Sequence, residues 1–294
     1  MSIVKTGSAT QLQTGCKLNL CLKILGVRDD GYHELESLFI PLASPCDTLT
    51  IQPLDGTGLS LRCDDPSLPI ANNTITKAYN AFARHTGFVP GLSVLLQKRI
   101  PHGSGLGGGS ANAAGLLAYL ARLAEHHTGS RPNDSELAEL AASIGADVPF
   151  FLVNRPAVVR GIGERIEVVP APLPGWHLVL VCPDVRVSTA WAFSAWDKKN
   201  SPKDAGLGLT THQDVDTTPL VHGLRVENDL CPVVFEQYPE LQQGIASLHG
   251  LGARAACMSG TGSSLFGLFE DEQTANSAVK ALRHKGLTVF HHIL

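Results

Sequence analysis

Five glycines stand among seven consecutive residues, Gly103-Ser104-Gly105-Leu106-Gly107-Gly108-Gly109, between Pro101 and Ser110. Such a run cannot pack a core, and ordering it costs more backbone entropy than a plain turn requires. What it permits is close approach of backbone N–H groups to a ligand. The run feeds an apolar-periodic stretch from Ser110 to His127, with Ala113, Leu116, Leu117, Leu120 and Leu123 along one side. A helix there turns its free N–H donors and its positive dipole end toward the loop. Phosphate is the guest such an arrangement suits. A tight loop without a ligand is the competing reading.

Three familiar phosphate loops do not account for it. Gly103-x-Gly105-x-x-Gly108 satisfies the dinucleotide pattern, but Glu125, the downstream acid, falls late in the predicted helix and not at the end of a second strand. Gly103 and Gly108 have Walker A spacing, yet Gly109 stands where the lysine belongs. The His-Arg-Asp and Asp-Phe-Gly sequences of protein kinases are missing.

The 294 residues allow one large or two modest domains, and the net charge of -4 supports neither a nucleic-acid face nor a polybasic membrane face. Seven cysteines without a CxxC pair suit reduced thiols in a cytosol. The N-terminal stretch Met1 to Thr14 is polar, and no run of 18 apolar residues exists, so neither a signal peptide nor a membrane span is expected. The twelve histidines lack metal-ligand spacing, and no structural metal is expected.

Strands are predicted over 17–25, 35–42, 48–52, 92–97, 177–182, 253–258, 264–269 and at the C-terminus, and Arg28-Asp29-Asp30-Gly31 reads as a turn. Helices are predicted from Asn73 to Gly87, from Ser110 to His127, from Asn133 to Ile144 with Asn133 and Glu136 spaced as a capping box, near 226–248 and over 272–284. Residues 198–220 read as a polar connection. A composition change around Pro170-Ala171-Pro172 divides the chain into 1–170 and 171–294, and the mixed order of elements gives an α+β class.

The loop resembles the second motif of the GHMP kinases, Pro-x-x-x-Gly-Leu-Gly-Ser/Gly-Ser/Gly-Ser. Lys17-Leu18-Asn19-Leu20 resembles the first motif, and Ser259-Gly260-Thr261-Gly262-Ser263-Ser264 the third, in the proper order. Gly31-Tyr32-His33-Glu34-Leu35, Gly145-Ala146-Asp147-Val148-Pro149 and Glu227-Asn228-Asp229-Leu230 resemble segments of the branch that phosphorylates diphosphocytidyl-methylerythritol. Cys16, in place of a small alanine, and the segment Pro183 to Thr189 depart from that branch. The resemblance implies a two-domain fold, with an N-terminal domain like ribosomal protein S5 domain 2 and a ferredoxin-like C-terminal domain. The first would hold ATP and the second would face the substrate, with the substrate in the cleft between them.

Site residues follow from the same resemblance. Asp147 is the expected general base and Lys17 the assisting cation. Asn73, Lys98, Pro101, Gly103, Ser104, Gly105, Leu106, Gly107, Gly108, Gly109 and Ser110 would bind ATP, with the two serines offering hydroxyls to phosphate or Mg²⁺. Asn19, Tyr32, His33, Phe193, Gly260, Thr261 and Gly262 would bind the substrate, with Tyr32 and Phe193 stacking on the base and His33 reading its edge. A small molecule is the expected partner, and neither nucleic acid nor membrane. Homoserine or mevalonate kinase, a nucleotide sensor without activity and an RNA-binding module are the competing readings. Lys17 and Asp147 argue against the sensor, and the acidic balance against RNA.

Overall fold

The computed structural model describes residues 2–6, 9–70, 72–200, 220, 221 and 223–294. Two compact units emerge, and neither is continuous in sequence. The first comprises Met1–Lys17, Pro41–Pro101 and Gly107–Val169, and the second Leu18–Ile40, His102–Leu106 and Pro170–Leu294. The predicted connection at 198–220 lies for the most part outside the described residues.

Elements of the first half are β1 (Ser2–Thr6), β2 (Ala9–Val27), β3 (His33–Leu54), β4 (Gly58–Cys63), α1 (Thr74–Thr86), β5 (Gly91–Gln97), α2 (Gly108–Thr128), α3 (Asp134–Ile144), α4 (Val148–Val153), β6 (Ala157–Gly161) and β7 (Arg165–Val168). The strands follow the order β1-β2-β3-β5-β4, with β6 on β3 and β7 on β6. β3 pairs antiparallel with β5, from Thr48 opposite Gln97 to Leu54 opposite Gly91, and β4 pairs parallel with β5. Leu49, Ile51, Leu92, Val94 and Leu96 from this sheet close on Ile75, Phe82, Leu116, Leu117 and Leu120 from the helices, forming the core of the first unit. Each such side chain contributes about 1.5–3 kcal/mol on burial.

Local chemistry sets the helix ends. Asn73 caps α1 by accepting from the Ile75 N–H, and Gly87 ends it at φ 72°. The Asn133–Glu136 capping box starts α3. Two strands expected at 35–42 and 48–52 are one strand, β3, because Ser44-Pro45 does not stop the pairing as a proline inside a sheet ordinarily does. Helix α2 begins at Gly108, earlier than Ser110, with Gly107 as its cap at φ 71°.

The second half contributes β8 (His177–Cys182), α5 (Thr189–Asn200), β9 (Leu220–Val221), β10 (Leu224–Arg225), α6 (Cys231–Gln237), α7 (Pro239–Gly250), β11 (Ala255–Met258), β12 (Leu265–Phe269), α8 (Glu272–His284) and β13 (Thr288–Ile293). An antiparallel sheet of order β11-β12-β8-β13 forms the centre of the second unit. Strand β8, in the middle, is buried along its whole length, which explains its unbroken apolar run. Val179, Val181, Leu248, Met258, Phe269, Val279 and Leu282 belong to its core, together with Leu22 from β2. The single helix expected near 226–248 is two. Tyr238 leaves the helical region, at φ -128° and ψ 73°, because a residue preceding proline, here Pro239, is disfavoured there.

Candidate active site

In the first unit the loop enters α2 through Gly107. A β-carbon at Gly107 would sit 3.0 Å from the Phe151 ring and 3.2 Å from Lys17 Cγ, so a side chain at position 107 is strained by its φ and crowded by its neighbours. Thr74 Oγ1, on the first turn of α1, donates to the Gly109 carbonyl at 2.7 Å and ties the helix start to α1. The free N–H groups at the head of α2 are donors of the kind that take phosphate.

Lys17 Nζ lies 3.7 Å from Asp147 Oδ2, with the lysine side chain 6% exposed and the aspartate 30%. Asp147 is the residue at the cap of α4, yet its carboxylate makes no capping bond to the helix backbone. The turn is held instead by the main chain, where the Val148 N–H donates to the Gly145 carbonyl at 3.0 Å. An aspartate in this position ordinarily serves its own helix. Here its carboxylate is partly open to solvent and beside a buried ammonium.

Asp47 belongs to no motif, and sequence reasoning passes over it. Fully buried on β3, it accepts from the Arg99 N–H at 2.7 Å, the Ile100 N–H at 2.9 Å, Asn112 Nδ2 at 2.9 Å and Lys98 Nζ. Thr14 Oγ1 donates to Asn112 Oδ1 at 2.5 Å. One carboxylate thus ties the residues just before Pro101 to the first turns of α2. Lys98, expected at the nucleotide, has its ammonium on Asp47. Asn73, expected there too, uses its side-chain oxygen to cap α1.

Residues 102–106 belong to the second unit. Gly103 and Gly105 have φ of 68° and 74°, and a β-carbon at Gly105 would strike the Ser259 carbonyl oxygen. The Ser264 N–H donates to the buried Ser104's carbonyl at 3.1 Å. The second and third glycine segments therefore pack against each other within this unit. Asn228 Nδ2 donates to the Met258 and Gly260 carbonyls at 2.9 and 2.7 Å, and its Oδ1 accepts from the Leu230 N–H. Thr261 Oγ1 lies 3.2 Å from Thr189 Oγ1. The backbone N–H of Asn19 donates to Ser259 Oγ at 3.1 Å, and its side-chain amide donates to Ser37 Oγ at 2.9 Å. Asn19 is buried, and its amide serves the strand pair β2 and β3.

His33 and Phe193, 160 positions apart in sequence, come together in the second unit. Their rings lie 4.7 Å apart with planes tilted by 31°. Trp196 meets the same imidazole edge-on at 5.8 Å, and Asp197 Oδ1 is 2.7 Å from His33 Nε2. Tyr32 is 60% exposed, and its backbone N–H donates to Asp30 Oδ1. An exposed phenol, next in sequence to an imidazole that packs on a phenyl ring, is a side chain of the kind that suits a flat heteroaromatic guest.

Among the described residues no three His, Cys, Asp or Glu side chains cluster as a metal cage. The part-buried Ser110 hydroxyl, on the first turn of α2, fits a Mg²⁺ that arrives on nucleotide phosphates, since this ion keeps most of its shell as phosphate oxygens and water. No helix among the described residues is long and apolar enough to cross a membrane.

Comparison with known proteins bears on all of this. The family model "GHMP kinases N terminal domain" matches residues 73–155, and "GHMP kinases C terminal" matches 216–287. A 4-diphosphocytidyl-2-C-methyl-D-erythritol kinase of Nitratidesulfovibrio vulgaris is 44% identical over 287 residues, covering 97% of this chain and 99% of that protein. One from Chlorobaculum parvum is 38% identical, with 92% of each chain covered. A crystal structure of 4-(cytidine 5'-diphospho)-2C-methyl-D-erythritol kinase superposes with a TM-score of 0.74 at 34% identity, over 96% of this chain and 97% of the other. Homoserine kinase from Cytophaga hutchinsonii, with a TM-score of 0.72 at 18% identity over 100% and 96% of the two chains, shares the fold.

Proposed function

Because the chain belongs to the GHMP kinase family and has the two-domain fold of those enzymes, we propose that it transfers the γ-phosphoryl group of ATP to the 2-hydroxyl of 4-diphosphocytidyl-2-C-methyl-D-erythritol, a step toward isoprenoid precursors in the cytoplasm. The observation that carries this reading is the Lys17–Asp147 pair, in which a carboxylate free of local capping stands 3.7 Å from a buried ammonium.

Asp147 takes the proton of the acceptor hydroxyl while that oxygen forms its bond to the γ-phosphorus. The bond from phosphorus to the β–γ bridging oxygen breaks, and ADP leaves. Lys17 offsets negative charge on the moving phosphoryl oxygens. The N–H groups from Gly103 to Gly109 and the hydroxyls of Ser104 and Ser110 hold the phosphates. Mg²⁺, when bound, neutralises phosphate charge, and Ser110 is the residue that would hold it. Asn73 and Lys98 shape this end of the site through the α1 cap and through Asp47. Residues 1–170 thus hold ATP and carry the chemistry, while 171–294, with Asn19, Tyr32 and His33, serve the acceptor. Tyr32 and Phe193 stack on cytosine, His33 reads its edge, and Gly260, Thr261 and Gly262 shape the wall.

The test is ADP release from ATP and Mg²⁺ with the cytidylyl acceptor, beside homoserine and mevalonate, for wild type and Asp147→Asn. Turnover of the cytidylyl acceptor alone is expected, with kcat falling about 10²–10⁴-fold in the variant. Turnover of another alcohol instead overturns the substrate, and an unimpaired variant overturns the base.

A further inference from the structure

We propose that Cys231 and Cys257 form a reversible disulfide when the chain meets a low-molecular-weight disulfide, and that this bond slows the proposed transfer. Both thiols are free, and their Sγ atoms lie 3.9 Å apart across 26 positions of sequence. The effect on transfer rests on the reading of Gly260, Thr261 and Gly262 as the wall of the acceptor site. The bond itself rests only on the two sulfurs and the main chain that carries them.

That main chain is fixed on both sides. Cys231 opens α6, and its N–H donates to the Asn228 carbonyl at 2.9 Å. Cys257 lies on β11 opposite Phe266 of β12. Asn228 Nδ2 donates to the carbonyls of Met258 and Gly260, so one side chain ties the approach to α6 to the end of β11. Among the described strands β11 is an edge, paired with β12 alone, and it can shift toward α6 without breaking a second ladder. A disulfide holds its sulfurs about 2.05 Å apart, so roughly half of the present gap must close.

The sulfurs differ in access. Cys231 is half-buried, whereas Cys257 is 6% exposed, so a solute reaches Cys231 first. The contact with Cys231, and then burial, push the Cys257 thiol well up, so Cys257 keeps its proton at the outset. Cys231, as thiolate, attacks one sulfur of the reagent, whose S–S bond breaks to release one thiolate. Cys257 then gives its proton to water, attacks Cys231 Sγ and expels the second thiolate. The two cysteines lose two electrons and two protons, and the reagent gains them as two thiols. The new bond draws Cys257 toward α6, and the Met258 and Gly260 carbonyls move with it. Misplacement by about 1 Å can cost a reaction about 10²-fold.

The test incubates the reduced enzyme with oxidised glutathione, blocks remaining thiols with iodoacetamide over a time course and maps the peptides by mass spectrometry. Acceptor turnover is measured on the same samples. Glutathione should appear on Cys231 first and then give way to a Cys231–Cys257 cross-link that dithiothreitol reverses. The kcat/KM for the acceptor should fall about tenfold or more in step with the cross-link and return on its reduction. Cys231→Ser and Cys257→Ala, when reduced, should stay within about twofold of wild type. Under oxidised glutathione Cys231→Ser should keep its activity, and Cys257→Ala should stop at the mixed disulfide. Cys231 left unmodified, glutathione that remains there in wild type, or a cross-link elsewhere overturns the pairing. A cross-link with unchanged kinetics, or a Cys231→Ser protein that loses activity as wild type does, overturns its control of transfer. If the reduced enzyme phosphorylates no acceptor, the proposed function fails, while the peptide map still decides the pairing.

Discussion

Lys98→Met removes the ammonium from a carboxylate that water cannot reach. Asp47 is fully buried and the Lys98 side chain is 10% exposed, so solvent replaces little of what is lost. Breaking a buried pair from one side costs about 3–5 kcal/mol. Asp47 keeps the Arg99 and Ile100 N–H groups and Asn112 Nδ2, which still stabilise its charge, so the loss should fall near about 2–3 kcal/mol. For a chain of this size that lowers Tm by about 5–10 °C. Adding Asp47→Asn removes the stranded charge, and the double variant should be more stable than Lys98→Met alone, with a coupling of about 1–2 kcal/mol. Urea and thermal unfolding followed by circular dichroism read these values, and the KM for ATP is measured beside them. A Lys98→Met protein within about 0.5 kcal/mol of wild type, with a raised KM for ATP, would refute the reasoning, because Lys98 would then be serving the nucleotide and not Asp47.

Two more predictions test the second unit. Asn228→Ala strips the donor from the Met258 and Gly260 carbonyls and the acceptor from the Leu230 N–H, and should cost about 2–4 kcal/mol in urea unfolding, whereas a loss under about 1 kcal/mol would show that those groups find other partners. His291 Nε2 lies 3.0 Å from His177 Nδ1, and burial first, then the charge of His177, holds its pKa below the ordinary 6.5. The unfolded chain therefore binds this proton more readily than the folded one, so stability should rise with pH from the lowered value up to about 6.5 and fall on acidification through that window. His291→Gln should flatten that slope in unfolding midpoints taken between about pH 5 and 7, and an unchanged slope would exclude this residue as its source.

What the sequence revealed and what it concealed divide by distance along the chain. Asn73 and Gly87, or Asn133 and Glu136, settle their helices through bonds to residues within a turn, so α1 and α3 were readable from caps and periodicity. The glycine loop was readable because few other purposes tolerate five glycines in seven residues. Asp47 was not, since it finds its partners 51 to 65 positions away, and a lone aspartate before Thr48-Leu49-Thr50 looks like a strand edge. Asp197 and His33 are further apart still. The break between α6 and α7 was within reach, because Pro239 announces it, but the apolar spacing across it continued well enough to suggest one helix. Strands β4, β6 and β7 are only four to six residues long, and although Leu59-Ser60-Leu61-Arg62-Cys63 and Arg165-Ile166-Glu167-Val168 alternate, so short a pattern does not stand out.

The second unit also sets a timetable for the ribosome. Leu22 lies in its core, the Leu22 N–H donates to the Glu227 carbonyl, and the Ile24 N–H donates to Asp229 Oδ2 across 205 positions. At about 5–20 residues per second, a strand that emerges among the first residues waits about 10–40 s for the chain that will cover it. Leu22 and Ile24 meanwhile wait in a nascent segment whose partners at Glu227 and Asp229 have not been made. Such a segment is a natural client for a holdase, and slowing translation of the second half would lengthen its exposure without altering a single native contact.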